Sequence, residues 1–426
     1  MTLAIGCSPA GSLPPAATST LVEASTTVAV AAPTTSAAPN TTGIEPYPLP
    51  TSQPRSEVPG DEVGVGWYVA LYDSTNANPT SAADLREGPV VLYLVDREGN
   101  RYEVASWAPR TGPDALVDAW DSKALVVGAG VNVDETIYHL VDLTSGEMRQ
   151  VYSVGFPENS YHIDWELSLT RPTAENLVLY RSDGASQWLE RRSPDGTTLA
   201  TLFEGPYTDG RSAAQWLYGY EGNTVLVSSL TGLSLVSNLG GGLARIAIPD
   251  ETRCDPVRWW AAGTLLAVCY GQSAASAPVN EFGPHVHYGR LWLLEIDGST
   301  GVPLTNYPVE PPIVSDFGYG DAWRTGETTL LQWLGDCGAA SIATLQPDGT
   351  GAFMTLSLPP PFFPSGVKMV DVVESQIAAH IWQSCDGSSA GLFAFDLNGA
   401  YLHDLVPLVG DARGVTGVAG LTSLYP

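Results

Sequence analysis

The feature that most constrains this chain is a short strand–turn–strand pattern that it repeats. The clearest copy is residues 289–306, GRLWLLEIDGSTGVPLTN. Leu291, Trp292, Leu293, Leu294 and Ile296 make a strand too apolar to face water on both sides. Asp297-Gly298 supplies the turn, and residues 302–304 begin the return. Further copies occupy residues 90–96 before Glu98-Gly99, 137–142 before Ser145-Gly146, and 188–192 before Pro194-Asp195-Gly196. A weak copy at 233–236 precedes Gly240, and the last two are 341–345 before Asp348-Gly349 and 391–396 before Asn398-Gly399. The copies follow one another at roughly 45–60 residues, the period of a four-stranded propeller blade.

The expected fold is therefore all-β, a seven-bladed β-propeller. Six or eight blades stay open because the fourth copy, beside Gly240-Gly241-Gly242, is the weakest. Six units carry a leading pair of strands, such as 116–120 with 124–127 and 367–373 with 376–382. The first piece, which opens at residues 66–72, lacks one strand, and residues 415–424 are spare. The economical solution closes the ring with that C-terminal segment as the missing innermost strand, which removes an open sheet edge. Three regions follow: residues 1–7, a linker at 8–60, and the propeller at 61–426.

Residues 8–60 are rich in Ala, Ser, Thr and Pro and nearly uncharged before Glu45. Such a composition cannot offset chain entropy by burial, so a disordered stalk is expected. Ahead of it, Met1–Cys7 reads MTLAIGC and resembles the end of a bacterial lipoprotein signal. That resemblance implies a lipidated Cys7 and an extracytoplasmic protein, anchored to the cell membrane or secreted. No run of 18 apolar residues occurs. The formal charge of −27 opposes binding to phosphate backbones, so nucleic acid is not an expected partner.

At residues 291–306 the apolar strand, Asp-Gly turn and closing Leu304-Thr305-Asn306 resemble the repeat of bacterial TolB-type propellers, and Pro194-Asp195-Gly196 is similar. The resemblance implies a propeller fold and an extracytoplasmic location, and carries over no partner.

Four cysteines besides Cys7 suggest two disulfides in an exported chain. Folding residues 257–270 as a hairpin sets Cys254 level with Cys269, and Cys337 and Cys385 hold equivalent places in successive units. The expected pairs are Cys254–Cys269 and Cys337–Cys385. All four would mark one face, from which the long insertions 73–88 and 271–289 also leave. The face with the short Asp-Gly turns is expected to have little room for chemistry.

The most suggestive loop, residues 280–288, holds Glu281, His285, His287 and Tyr288. Imidazole and carboxylate suit zinc or another divalent metal, but an ordinary loop docking its aromatic residues is the favoured reading. His162 and Asp164 begin an innermost strand. Asp316, Asp321 and Asp371, with Asp114 and Asp118, are placed near the starts of such strands, where a carboxylate ring would attract calcium or simply be solvated. Trp259, Trp260 and Trp323 are assigned chiefly to packing between blades. Nucleophile elbows, HExxH helices and phosphate-binding loops do not occur. No cofactor is expected, with calcium or zinc as the exception to test. The leading expectation is a monomeric cell-envelope binding or scaffolding propeller that holds a protein, peptide or glycan on its loop-rich face. The alternative is a hydrolase or lyase with an acidic and histidine site at the channel mouth.

Overall fold

The computed structural model describes residues 46–60, 62–77, 87–109, 111–129, 135–155, 166–182, 185–206, 215–219, 222–229, 232–249, 252–271, 289–306, 318–335, 338–358, 364–385 and 389–421. The chain divides into two compact units, Met1–Thr35 and Ser36–Pro426, and every described residue lies in the second. Apart from one turn of 3-10 helix at Arg55–Glu57, the regular structure among these residues is all strand.

The strands form antiparallel meanders whose central members are buried on both faces. All six residues of Val90–Val95 are buried, as are the first seven of Tyr68–Asn76. A strand with apolar neighbours on both sides loses the alternation of a half-exposed sheet and reads as a continuous apolar run. The core accordingly lies between adjacent meanders. Leu71, Leu92 and Leu94 pack against Ala124 and Val126 on one side, while Tyr68, Tyr72 and Tyr93 pack against Leu392 and Ala394 on the other. Each fully buried aliphatic side chain stabilises by about 2 kcal/mol. The Asp-Gly and Asn-Gly turns behave as their residues require, with φ near +87° at Gly298 and +84° at Gly399.

The all-β propeller is as expected, but the blade count is not. Counted as continuous hydrogen-bonded sheets among the described residues, the blades number five rather than seven. Three are four-stranded. The other two hold eight and nine strands because neighbouring meanders are zipped together. Gly289 pairs in parallel with Gly318, and Ala390 with Gly414, so the third strand of one meander joins the first of the next. Small residues let the backbones approach this closely, and a repeat count does not report that contact.

The closing strand is present. Ala412–Gly420 pairs antiparallel with Tyr68–Asn76, from Tyr68 opposite Gly420 to Asn76 opposite Ala412. The Leu421 N–H donates to the Trp67 carbonyl at 2.7 Å, the Ala77 N–H to that of Asp411 at 2.9 Å, and Arg413 meets Asp73 at 3.2 Å.

The linker expectation needs correction at its end. Residues 46–57 are a strap rather than a free stalk. Gln53 and Pro54 pair in parallel with Tyr102 and Glu103, adding a strand to the outer edge of Arg101–Trp107. Arg101 Nε donates to the Thr51 carbonyl at 2.8 Å, and the Arg55 guanidinium reaches the Ser145 carbonyl in the next meander. Aromatic and apolar side chains here, Tyr47 and Leu49, pack on the buried core, which composition upstream of them does not foretell. Residues 1–45, with Cys7, lie outside the described residues.

The closing strand also fits tightly against its other neighbour. A Cβ added at Gly417 would stand 2.8 Å from the Leu116 backbone nitrogen. Gly417→Val is expected to cost about 1–3 kcal/mol as an overpacked core substitution. Urea unfolding measures it, and an unchanged midpoint would show that the ring does not need this approach.

Candidate functional site

Two stretches that leave the sheets, residues 77–89 and 272–288, each join the second to the third strand of an antiparallel meander. Both therefore start from the same edge of their sheets. The bases of both are fastened. Cys254 lies directly opposite Cys269 and the two form a disulfide, both cysteines being buried, two residues before Gly271. This is the expected pairing, and it marks an oxidising, extracytoplasmic compartment. At the other base, the Asp73 carboxylate accepts the Thr75 N–H at 2.8 Å, and the Ser74 hydroxyl donates to the Pro89 carbonyl at 2.8 Å. Cys385, just past Gln376–Trp382 on the equivalent edge, is also disulfide-bonded. Cys337 lies outside the described residues, as do Glu281, His285, His287, Tyr288, Asp316, His162 and Asp164. Among the described residues no three His, Cys, Asp or Glu side chains group as a metal site.

Asp321 is described, and it belongs to a different constellation. On the innermost strands the register slips by one residue at a corresponding place, between Leu116 and Asp118, Pro256 and Arg258, Tyr319 and Asp321, and Met369 and Asp371. The closing strand slips likewise between Val415 and Gly417. A β-bulge re-aims the residue that follows it. Here it sets Asp118, Arg258, Asp321 and Asp371 at matching positions around the centre. Asp371 is the sixth residue of Gly366–Val373, so it lies towards the strand's end and the first hairpin turn, not near its start. The short-turn side thus carries more chemistry than its turns suggest.

Two of the carboxylates hold a guanidinium in the same way. Asp321 takes Arg258 through two bonds, Nε to Oδ1 at 2.7 Å and Nη2 to Oδ2 at 2.6 Å, while the guanidinium lies 3.7 Å from the centre of the Trp323 ring. Asp118 takes Arg171 at 3.0 and 3.2 Å, with Trp120 at 4.2 Å and Tyr218 at 5.5 Å from the guanidinium carbon. Bidentate pairing plus stacking is what arginine, and not lysine, supplies. Trp323 therefore packs as expected, but against a cation as well as apolar neighbours. The sequence signal is Asp-Ala-Trp, present at 118–120 and 321–323. It names the acid and the ring, whereas Arg171 and Arg258 come from other meanders and only the fold brings them in.

Asp371 differs. Its Oδ1 accepts the Val372 N–H at 2.8 Å, just as Asp321 Oδ1 accepts the Ala322 N–H at 2.7 Å. Its Oδ2 is buried with no hydrogen-bond partner among the described residues, and the residue is only 4% exposed. Burial pushes its carboxyl up to about 6, against smaller opposing pulls from the Val372 N–H and from Arg258. His380 is half-buried in the same sheet, its Nε2 2.9 Å from the Val415 carbonyl of the closing strand, to which it donates as the neutral ring. Burial lowers it to about 4.

No protein-family model matches the chain, and no curated protein matches it. Solved structures that resemble it include the β-propeller domain of the Trilobed protease from Pyrococcus furiosus, with 11% identity, covering 80% of this chain and 92% of that one, at a TM-score of 0.44. A protein from Lactobacillus plantarum shows 13% identity over 83% of this chain and 99% of its own, at 0.45. BamB from Moraxella catarrhalis shows 11% identity over 76% and 94%, at 0.38. Likenesses this distant carry no functional argument, and the fold rests on the strand pairing described above.

The two buried groups impose opposite pH dependences. As pH rises from the ordinary aspartate range to 6, the unfolded chain loses its Asp371 proton before the folded one does, so stability falls. As pH drops from 6.5 to 4, the unfolded chain protonates His380 first, so stability again falls. Each shift corresponds to about 3 kcal/mol, and the two partly cancel between pH 4 and 6. Asp371→Asn should add about 2 kcal/mol at neutral pH. It should also leave stability climbing steeply with pH between 4 and 6.5, as chemical denaturation across that range would show.

Proposed function

We propose that this chain is an extracytoplasmic binding propeller that holds a protein, peptide or glycan of the cell envelope on the edge from which residues 77–89 and 272–288 leave. The observation that carries this reading is the fastening of both bases, one by the Cys254–Cys269 disulfide and the other by the Asp73–Arg413 pair and its hydrogen bonds. Function concentrates on loops held by a rigid scaffold, and a ligand that meets preordered loop bases loses less entropy on binding. The TolB-type pattern at residues 291–306 supports the same setting. Within this proposal the protein acts as a monomer, tethered through a lipidated Cys7 and the linker that follows it. Mass spectrometry of the N-terminal peptide should find acylated Cys7, and an unmodified cysteine would remove the tether from the proposal.

Photo-crosslinking residues placed at Glu87 and Gly271, with Ser299 on a short turn as control, test the binding face on intact cells. Capture of a common partner from the first two positions and not from the third is expected. Equal capture from Ser299, or none from either loop base, would reverse it. The double variant Cys254→Ser/Cys269→Ser should lose about 3 kcal/mol of stability through its reopened 15-residue loop. Crosslinking at Gly271 should weaken with it, while that at Glu87 persists.

A further inference from the structure

The central carboxylates occur three times in one structural setting, and the molecule itself shows what that setting does. Asp118 and Asp321 each follow a bulge on an innermost strand and each grip a guanidinium with both oxygens. Asp371 follows the same bulge and, like Asp321, accepts the next backbone N–H, but among the described residues its second oxygen meets no cation.

The neighbouring element explains the difference. For Asp118, Oδ2 also accepts the Leu169 N–H at 2.8 Å, and Arg171 follows two residues later. In the closing strand the residue with the register of Leu169 is Gly420. Leu169 pairs with Leu177 ahead of the Thr170–Asn176 bond, as Gly420 pairs with Tyr68 ahead of the Leu421–Trp67 bond. Two residues beyond Gly420 the sequence has Thr422, which carries no charge. Gly420 leaves this side of the carboxylate unfilled, since a Cβ added there would stand 3.5 Å from Asp371 Oδ2, an ordinary van der Waals distance.

Charge points the same way. Arg258 acts electrostatically on Asp371, but its guanidinium is already committed to Asp321 through two bonds. One guanidinium therefore faces two carboxylates, which leaves one negative charge uncompensated when both are ionised. The Tyr68 phenol also feels the Asp371 charge, and burial keeps it neutral. A buried carboxylate oxygen without a partner costs a few kcal/mol, and an incoming cation recovers that cost.

We propose that Asp371, at the seam between Gly366–Val373 and the closing strand, is a binding site for an organic cation that presents a guanidinium or primary ammonium group. The guest takes at Asp371 the role that Arg171 takes at Asp118, donating N–H to Oδ2. This site stands apart from the loop edge and does not depend on what the loops hold. Its ligand competes with a proton for the same oxygen, so binding strengthens as pH rises through the titration of Asp371.

The test titrates the full chain with L-argininamide and with guanidinium chloride, against sodium chloride at matched ionic strength, by calorimetry and by two-dimensional NMR. At about pH 7.5, saturable one-to-one binding of argininamide is expected, weakening by about tenfold or more near pH 5. Asp371→Asn removes the charge at constant shape and should abolish it. Gly420→Ala narrows the approach and should weaken it by about tenfold, the equivalent of about 1.4 kcal/mol. Asp195→Asn, on an exposed turn, should leave it unchanged. Binding that survives in Asp371→Asn, equal effects from sodium, or no saturable binding by a variant-competent, folded protein would each overturn the proposal.

Discussion

The structure depends on one antiparallel pairing, that of the last described strand, Ala412–Gly420, with the first long one, Tyr68–Asn76. Every other antiparallel strand pairing among the described residues is between strands consecutive in the chain, but this one joins residues some 340 positions apart. It carries the largest entropic cost of closure and is correspondingly reinforced. The ladder runs nearly the whole length of both strands. Its two ends are held by the Leu421–Trp67 and Ala77–Asp411 bonds, with the Arg413–Asp73 pair beside one of them. Tyr68, Ala70 and Tyr72 are buried against the neighbouring meander, so failure of this pairing would expose a wide apolar face as well as an unpaired edge. The strap at residues 46–57 works to the same end from outside, covering the outer edge of the same meander and linking it to the next through Arg55.

Closure has a geometric consequence at the centre. Innermost strands that approach one another cannot all present large side chains inward, and five of those described carry a bulge at a corresponding register with either a charge or a glycine after it. At Asp118, Arg258 and Asp321 the side chain is turned towards a neighbouring meander and pairs across the seam. Where it is Gly417, the backbone itself comes within van der Waals range of Leu116. A side-chain pair such as Arg258–Asp321, one-fifth to one-third exposed, stabilises modestly in itself. Its greater effect is to specify which strand stands next to which, because breaking it leaves a partly buried charge unmatched. The same logic makes Asp371 informative, since it has the position without the match.

Much of the fold is legible in the sequence because propeller strands repeat and their turns need glycine. The apolar run 291–296, its Asp-Gly turn and the spare C-terminal segment lead directly to strands, hairpins and closure. The sheet count is not legible, since it turns on single parallel contacts such as Gly289 with Gly318, which involve no pattern within either strand. Cys254 and Cys269 are legible as partners because a hairpin turn fixes their register. The central ion pairs are half legible. Asp118 and Asp321 are visible as polar residues in apolar strands, but their distance from the strand starts depends on bulges that no local propensity announces. Arg171 and Arg258 are ordinary arginines until the ring is closed.

Two distinct kinds of order therefore coexist in one small ring. At the loop edge, covalent and hydrogen-bonded fastening fixes the bases of the segments to which the proposed function assigns recognition, and on that proposal specificity is set by loop sequence and can change without disturbing the sheets. At the centre, charged groups are set by backbone irregularities shared among several meanders, so a change in one alters the packing of its neighbour across a seam. His380 illustrates the coupling. It sits on Gln376–Trp382, yet its hydrogen bond goes to Val415 of the closing strand, and burial keeps it neutral at physiological pH. Asp371, from the adjacent strand of the same sheet, faces the other end of that closing strand at Gly420. Protonation of His380 would place a charge beside the closing strand while keeping its Nε2–H bond to Val415, so the charge state of the centre bears on the stability of the closure.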